Sequence, residues 1–243
     1  AVLMLHGGGP GASGLSNYSR NAEALAAAGF RVLVPDLPGY GRSQNRDHTL
    51  DIPELGEALL AVLDGLFLDR AVLVGNSMGC PVICEFAHHY PDRIERAVLV
   101  SPAGGLNNQP LSRAIRQLSA DGPRAPARMM KVAVPDYLRF GVPSTLKMFS
   151  ALTSYPSLER LLELRIPTLG VIGERDPLLP RPERVQEVAE QTDSHLLLVS
   201  MQDAAHAINF SHPEQLAHLI RLFMDDRPII DHEDEHRRTR LRE

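Results

Sequence analysis

Tryptophan is absent from this chain, and cysteine occurs only twice. Two cysteines, Cys80 and Cys84, cannot supply the disulfide framework of a small secreted domain. Four residues apart on a helix, their Cα atoms lie near the upper limit for a bond. Both are therefore expected as buried, reduced hydrophobes. Positive charge is not in excess. The 25 Lys and Arg against 30 Asp and Glu give a net charge of -5 and a pI near 6.1, which argues against nucleic acid as a partner. No apolar run is long enough to span a bilayer, so no membrane partner is expected. The opening Ala1-Val2-Leu3-Met4-Leu5 has no basic region before it. No secretory leader is therefore expected, and the expected compartment is the cytoplasm.

What remains is 243 residues, 44% of them hydrophobic, which fits one generous domain or a core with an inserted lid. The most informative stretch is Ala71-Val72-Leu73-Val74-Gly75-Asn76-Ser77-Met78-Gly79. An apolar strand runs into Gly-x-Ser-x-Gly, and Cys80 to Tyr90 can form a helix. This is the context of a nucleophile elbow, with a serine held on a tight strand-to-helix turn. Gly75 and Gly79 are expected to let the strand and helix backbones nearly touch. The helix N-terminus is expected to face the serine hydroxyl.

The elbow needs a loop that offers an oxyanion donor, and the apolar run Ala1–Leu5 ends in His6-Gly7-Gly8-Gly9-Pro10-Gly11. That loop is not a nucleotide cradle: the glycine spacing is wrong, and no Lys-Ser/Thr follows. The opening strand enters this loop at once, so the strands that usually precede it are expected to be missing. Further on, helices are expected over Tyr18–Ala28, Leu50–Leu66, Pro182–Glu190 and Pro213–Met224. Strands are expected over Arg31–Val34, Ala97–Val100, Pro167–Gly173 and Ser194–Val199. The alternation predicts a doubly wound, mostly parallel α/β sheet with its site at the carboxyl ends of the strands. It breaks between about Gly104 and Arg165, where Arg113, Arg116, Arg128 and Arg139 interleave with apolar residues. A helical cap is expected there, over 105–165. The core is then 1–104 with 166–225, and 226–243 is a charged tail.

Ser77 needs a base. His206 follows the last strand at the same sheet edge, and Asp176 follows the strand before it. The order Ser, Asp, His is the one this architecture uses. Glu174 and Asp203 are rival acids. His195 lies at the wrong end of a strand, His88 and His89 close the elbow helix, and His212 precedes a helix start. Glu85 and His89 share metal-ligand spacing without a third ligand, so no metal is expected. The expected chemistry needs no cofactor. It is acyl transfer to water on a small, largely apolar, ester-like carbonyl substrate. A binding protein that keeps the fold without chemistry is the alternative of another class. A homo-oligomer is possible.

Over most of its length the chain resembles the α/β-hydrolase superfamily. His6-Gly7-Gly8-Gly9-Pro10-Gly11 with Ser16-Asn17-Tyr18, together with Val74-Gly75-Asn76-Ser77-Met78-Gly79, is similar to the meta-cleavage-product hydrolases. Those enzymes cleave carbon–carbon bonds in ring-fission products, which gives the alternative substrate, a dienoate. The resemblance implies a triad of Ser77, Asp176 and His206. It implies Gly8 and Met78 N–H groups as the oxyanion hole, and Asn17 and Asn76 as substrate-placing residues. Leu15 and Ala207 stand where the family carries aromatics. Met78 stands where prolyl iminopeptidases carry tryptophan.

Overall fold

A computed structural model of the chain describes residues 1–8, 12–43, 51–102, 142–176, 178 and 196–229. Its central strands carry apolar residues on both faces because each serves two cores. In β1 (Val2–Leu5), Leu3 and Leu5 enter one apolar layer while Val2 and Met4 enter the other. In β3 (Ala71–Asn76), Ala71 and Leu73 separate likewise from Val72 and Val74. In β4 (Ile94–Val100), Ala97 and Leu99 separate from Val98 and Val100. A side-chain period of two thus feeds both faces, as in a buried parallel sheet.

With β2 (Val32–Leu33), β5 (Thr168–Gly173) and β6 (Leu196–Met201), the described residues form one six-stranded sheet of order β2-β1-β3-β4-β5-β6. Every pairing is parallel. Two helices, α1 (Gly14–Ala27) and α7 (Pro213–Met224), cover one face through Tyr18, Leu25, Leu216 and Ile220. The other face packs on α2 (Ile52–Gly65) and α3 (Gly79–His89) through Leu55, Leu59, Ile83 and Phe86. Between β4 and β5 lie α4 (Val142–Ser154) and α5 (Ser157–Leu162), and after β6 comes the single turn α6 (Ile208–Ser211). The chain leaves β1 toward β2 and returns past it to β3. Right-handed crossovers in opposite directions put α1 and α2 on opposite faces. They also open a crevice at the carboxyl ends of β1 and β3.

Several expected boundaries move for local reasons. Instead of starting at Tyr18, α1 begins at Gly14. The Ser16 N–H donates to Ser13 Oγ (3.1 Å) and the Ser13 N–H donates to Ser16 Oγ (2.9 Å), a reciprocal cap. A second cap, Asp51 with Glu54, sets the start of α2. β4 begins three residues before Ala97, because Ile94 already pairs with Ala71. β6 runs two residues beyond the expected Val199. The expected helix over 182–190, the cap arginines Arg113, Arg116, Arg128 and Arg139, His195 and the tail beyond 229 lie outside the described residues. Of the expected cap, 142–165 carry α4 and α5. No helix among the described residues is long and apolar enough to cross a membrane.

β4 ends on a costly residue. Ser101 has a left-handed φ of 46°, and its buried hydroxyl has no hydrogen-bond partner among the described residues. Left-handed backbone and an unpaired buried hydroxyl each cost on the order of 1–3 kcal/mol, partly offset by the extra chain entropy of glycine. Ser101→Gly is therefore expected to stabilise the fold by about 1 kcal/mol, read as a higher urea midpoint at unchanged slope.

Candidate active site

At the end of β3 the backbone turns through Ser77 in the left-handed region, φ 51°. The turn leaves no room for side chains around it. A Cβ on Gly75 would lie 2.7 Å from the carbonyl carbon of Gly79, as strand-to-helix contact requires. A Cβ on Gly79 would instead strike the backbone oxygen of Leu5 in β1, so the second glycine serves a contact with a neighbouring strand. From this turn α3 starts at Gly79, with Met78 as its N-cap and its positive end toward the serine.

Ser77, Asp176 and His206 meet. The His206 Nε2 is 2.9 Å from Ser77 Oγ, and its Nδ1 is 2.7 Å from Asp176 Oδ2. A carboxylate can only accept, so the Nδ1–H donates to it and the Nε2 lone pair faces the serine hydroxyl. The Asp176 carboxylate is shielded from solvent, and its other oxygen accepts the Leu178 N–H at 2.8 Å. The rival acids are engaged elsewhere. Asp203 pairs with Arg175 on the surface, and Glu174 accepts from Ser200 Oγ at 3.1 Å. His88 faces Arg160, and His212 contacts Ser211. Glu85 and His89 do touch, at 3.1 Å. The other Glu85 oxygen accepts the Tyr155 hydroxyl at 2.6 Å, and no group of three metal-binding side chains occurs among the described residues.

The loop after β1 lies against the elbow. A Cβ on Gly7 would be 3.2 Å from Ser77 Cβ and 3.1 Å from Asn76 Oδ1. Asn17 accepts the Gly7 N–H at 3.2 Å through Oδ1, and Asn76 donates to the Val100 carbonyl at 3.4 Å. Both asparagines thus bracket Gly7. Neither the Gly8 N–H nor the Met78 N–H has a hydrogen-bond partner among the described residues. Leu15 is exposed and Ala207 caps α6. The two thiols stand apart from this chemistry: Cys80 and Cys84 are free and buried. Burial pushes the Cys80 thiol well above its ordinary value and the Cys84 thiol up to about 12.

Sequence reasoning missed His6. It is wholly buried, donates from Nδ1 to the Gly7 carbonyl (2.8 Å) and accepts the Leu37 N–H on Nε2 (2.9 Å). It therefore ties the glycine loop to the loop after β2. Its place between an apolar strand and three glycines was the available signal. Burial lowers its pKa from 6.5 to about 4. The unfolded chain binds a proton on this ring near pH 6.5, and the folded chain does so only near pH 4. The stability is thus complete above pH 6.5 and is lost as pH falls through that window. The expected loss is on the order of 3 kcal/mol. Urea titrations between pH 7 and pH 4 should show His6→Gln losing that much less than the parent protein.

A serine on a left-handed turn, with His206 on its hydroxyl and the buried Asp176 behind the ring, at the carboxyl edge of a parallel sheet, is the arrangement of one class of fold. The chain matches the alpha/beta hydrolase family over residues 2–219 and belongs to it. It is similar to the 2-hydroxy-6-oxo-6-phenylhexa-2,4-dienoate hydrolase of Burkholderia cepacia, 45% identical over 108 residues, 43% of this chain and 37% of that protein. The chain thus matches little more than a third of the length of that curated relative. Among solved structures it is similar to a meta-cleavage product hydrolase from Pseudomonas fluorescens IP01, with TM-score 0.71, 21% identity, and coverage of 93% of this chain and 90% of that one. It is also similar to a thermophilic esterase from Thermogutta terrifontis, with TM-score 0.67, 23% identity, and coverage of 93% and 89%. At such identities these two likenesses show the fold.

Proposed function

We propose that this chain is a cofactor-free serine hydrolase that cleaves a carbon–carbon bond in a 2-hydroxy-6-oxodienoate. The observation that carries the hydrolase reading is the 2.9 Å approach of His206 Nε2 to Ser77 Oγ with Asp176 behind it. The substrate reading rests on the 45% identity, over 108 residues, to a dienoate hydrolase. It replaces the expectation of a simple ester substrate, because a likeness of that strength outweighs the apolar, basic composition of the cap.

The residues perform the chemistry as follows. In the keto form of such a dienoate, C2 and C6 both carry carbonyls, and C5 has gained the enol proton. Ser77 Oγ attacks C6 while His206 Nε2 takes its proton, and Asp176 stabilises the imidazolium. The C6 oxygen becomes an oxyanion on the Gly8 and Met78 N–H groups, each worth about 10²–10³ in rate. The C5–C6 bond then breaks. Its electron pair passes through C3–C4 to the C2 oxygen, which takes up the proton held by His206 to give a dienol and returns the imidazole to its neutral form. Water, deprotonated by His206, releases the remaining acid from Ser77.

The test is turnover of a dienoate ring-fission product beside p-nitrophenyl acetate. The reading expects kcat/KM for the dienoate to exceed that for the ester by about tenfold or more, a modest specificity difference for one well-fitted substrate. Ester turnover with no dienoate turnover would remove the carbon–carbon reading and return the substrate to an ester.

A further inference from the structure

We infer that Met148 of α4 sets the size limit for the acyl group that the site accepts. This inference rests on Ser77 as nucleophile with Gly8 as oxyanion donor. Thr145, Met148 and Leu152 lie three and four residues apart, so they share one face of α4, and all three are buried. The helix is fixed where it ends: the Tyr155 hydroxyl donates to the buried Glu85 of α3. Burial, and then this bond, push the Tyr155 pKa upward, so the hydroxyl keeps its proton and the anchor holds. Met148 is therefore seated on the core.

Its seat is the oxyanion loop. A Cβ on Gly8 would lie 2.5 Å from Met148 Sδ and 2.8 Å from Met78 Sδ. Two thioethers thus press on the bare face of Gly8, one from the elbow and one from α4. The elbow sulfur is itself held, accepting the Tyr40 hydroxyl at 3.5 Å. The α4 sulfur is the adjustable one: an unbranched side chain with three rotatable bonds.

The tetrahedral carbon formed at Ser77 has four substituents. One is Ser77 Oγ and one is the oxyanion on Gly8 and Met78. A third, the leaving group, must face His206 to receive its proton. The fourth is the acyl group, which stays through the acyl-enzyme. Met148 covers the bare face of Gly8 and so borders the proposed oxyanion position from the α4 side. The acyl group is the substituent left to meet it.

The test is a p-nitrophenyl ester series from acetate to octanoate, which varies the acyl group alone. A methylene in an apolar pocket changes kcat/KM by about 10- to 200-fold. Met148→Ala is expected to raise the hexanoate-to-acetate ratio of kcat/KM by about tenfold or more, and Met148→Phe to lower it by a similar factor. Thermal melts of both variants establish folding, and the Phe variant stands alone if the Ala variant fails to fold. A ratio unchanged in the folded variants, with a fluorophosphonate still labelling Ser77, overturns the inference and spares the nucleophile. Absence of that label in the parent protein overturns both.

Discussion

Ser77→Ala is expected to lower kcat by roughly 10⁴–10⁶, and His206→Ala by about as much. The double variant should be no worse than the more damaged single one, because the serine has no use for a base once its hydroxyl is gone. Asp176→Asn keeps the shape but presents an amide to Nδ1. That favours the wrong tautomer, and a loss of about 10⁴ follows. If the Asp176 change cost little, Glu174 or Asp203 would have to serve as the acid, against their existing partners Ser200 and Arg175. Steady-state turnover of an activated ester measures all four variants. The binding-protein alternative predicts no turnover to lose.

Gly79→Ala is the substitution expected to damage the fold most. The new methyl would meet the Leu5 carbonyl oxygen, and would lie 3.0 Å from the Leu5 carbonyl carbon and 3.1 Å from its Cβ. A flexible side chain could swing away from such a clash, but this is the backbone of a strand paired on both edges, to β2 and to β3. Overpacking typically costs about 1–3 kcal/mol, and a clash against fixed backbone belongs at or above the upper end of that range. Urea unfolding should show a loss of at least about 3 kcal/mol. Leu5 leads directly into His6, Gly7 and Gly8, so a displaced β1 also moves the proposed oxyanion donor. The surviving folded fraction should therefore lose roughly 10² in kcat, the worth of one such donor. Stability within about 0.5 kcal/mol of the parent, the ordinary range for a surface change, would show that the contact is absent.

What the sequence shows and what it hides follow one division. The elbow is local: an apolar strand, two glycines and a helix are adjacent in the chain, so their geometry could be read directly. Ser77, Asp176 and His206 are distant from one another. A rule of chain order brings them together, since each follows a strand of the same parallel sheet. The cap of α1 was missed because Ser13 and Ser16 form it with two short hydroxyl side chains, without the glutamate that usually marks such a box. The partner of Gly79 was misassigned because Leu5 lies 74 positions away, and nothing near Gly79 encodes it. Tyr155 on Glu85 and Met148 on Gly8 were invisible for the same reason. Both join helices α4 and α3 or loops that only the folded sheet brings together. The substrate was the least legible part: the glycine loop and elbow resemble those of dienoate-cleaving hydrolases, but Leu15 and Ala207 stand where that family carries aromatics, which left the ester as the first reading.

The most direct test is covalent. The native protein is treated with a fluorophosphonate, digested, and its peptides are mapped by mass. One adduct on Ser77 is predicted, formed at a rate that collapses in His206→Ala. A folded protein that shows no adduct, or carries it on another serine, would contradict the account.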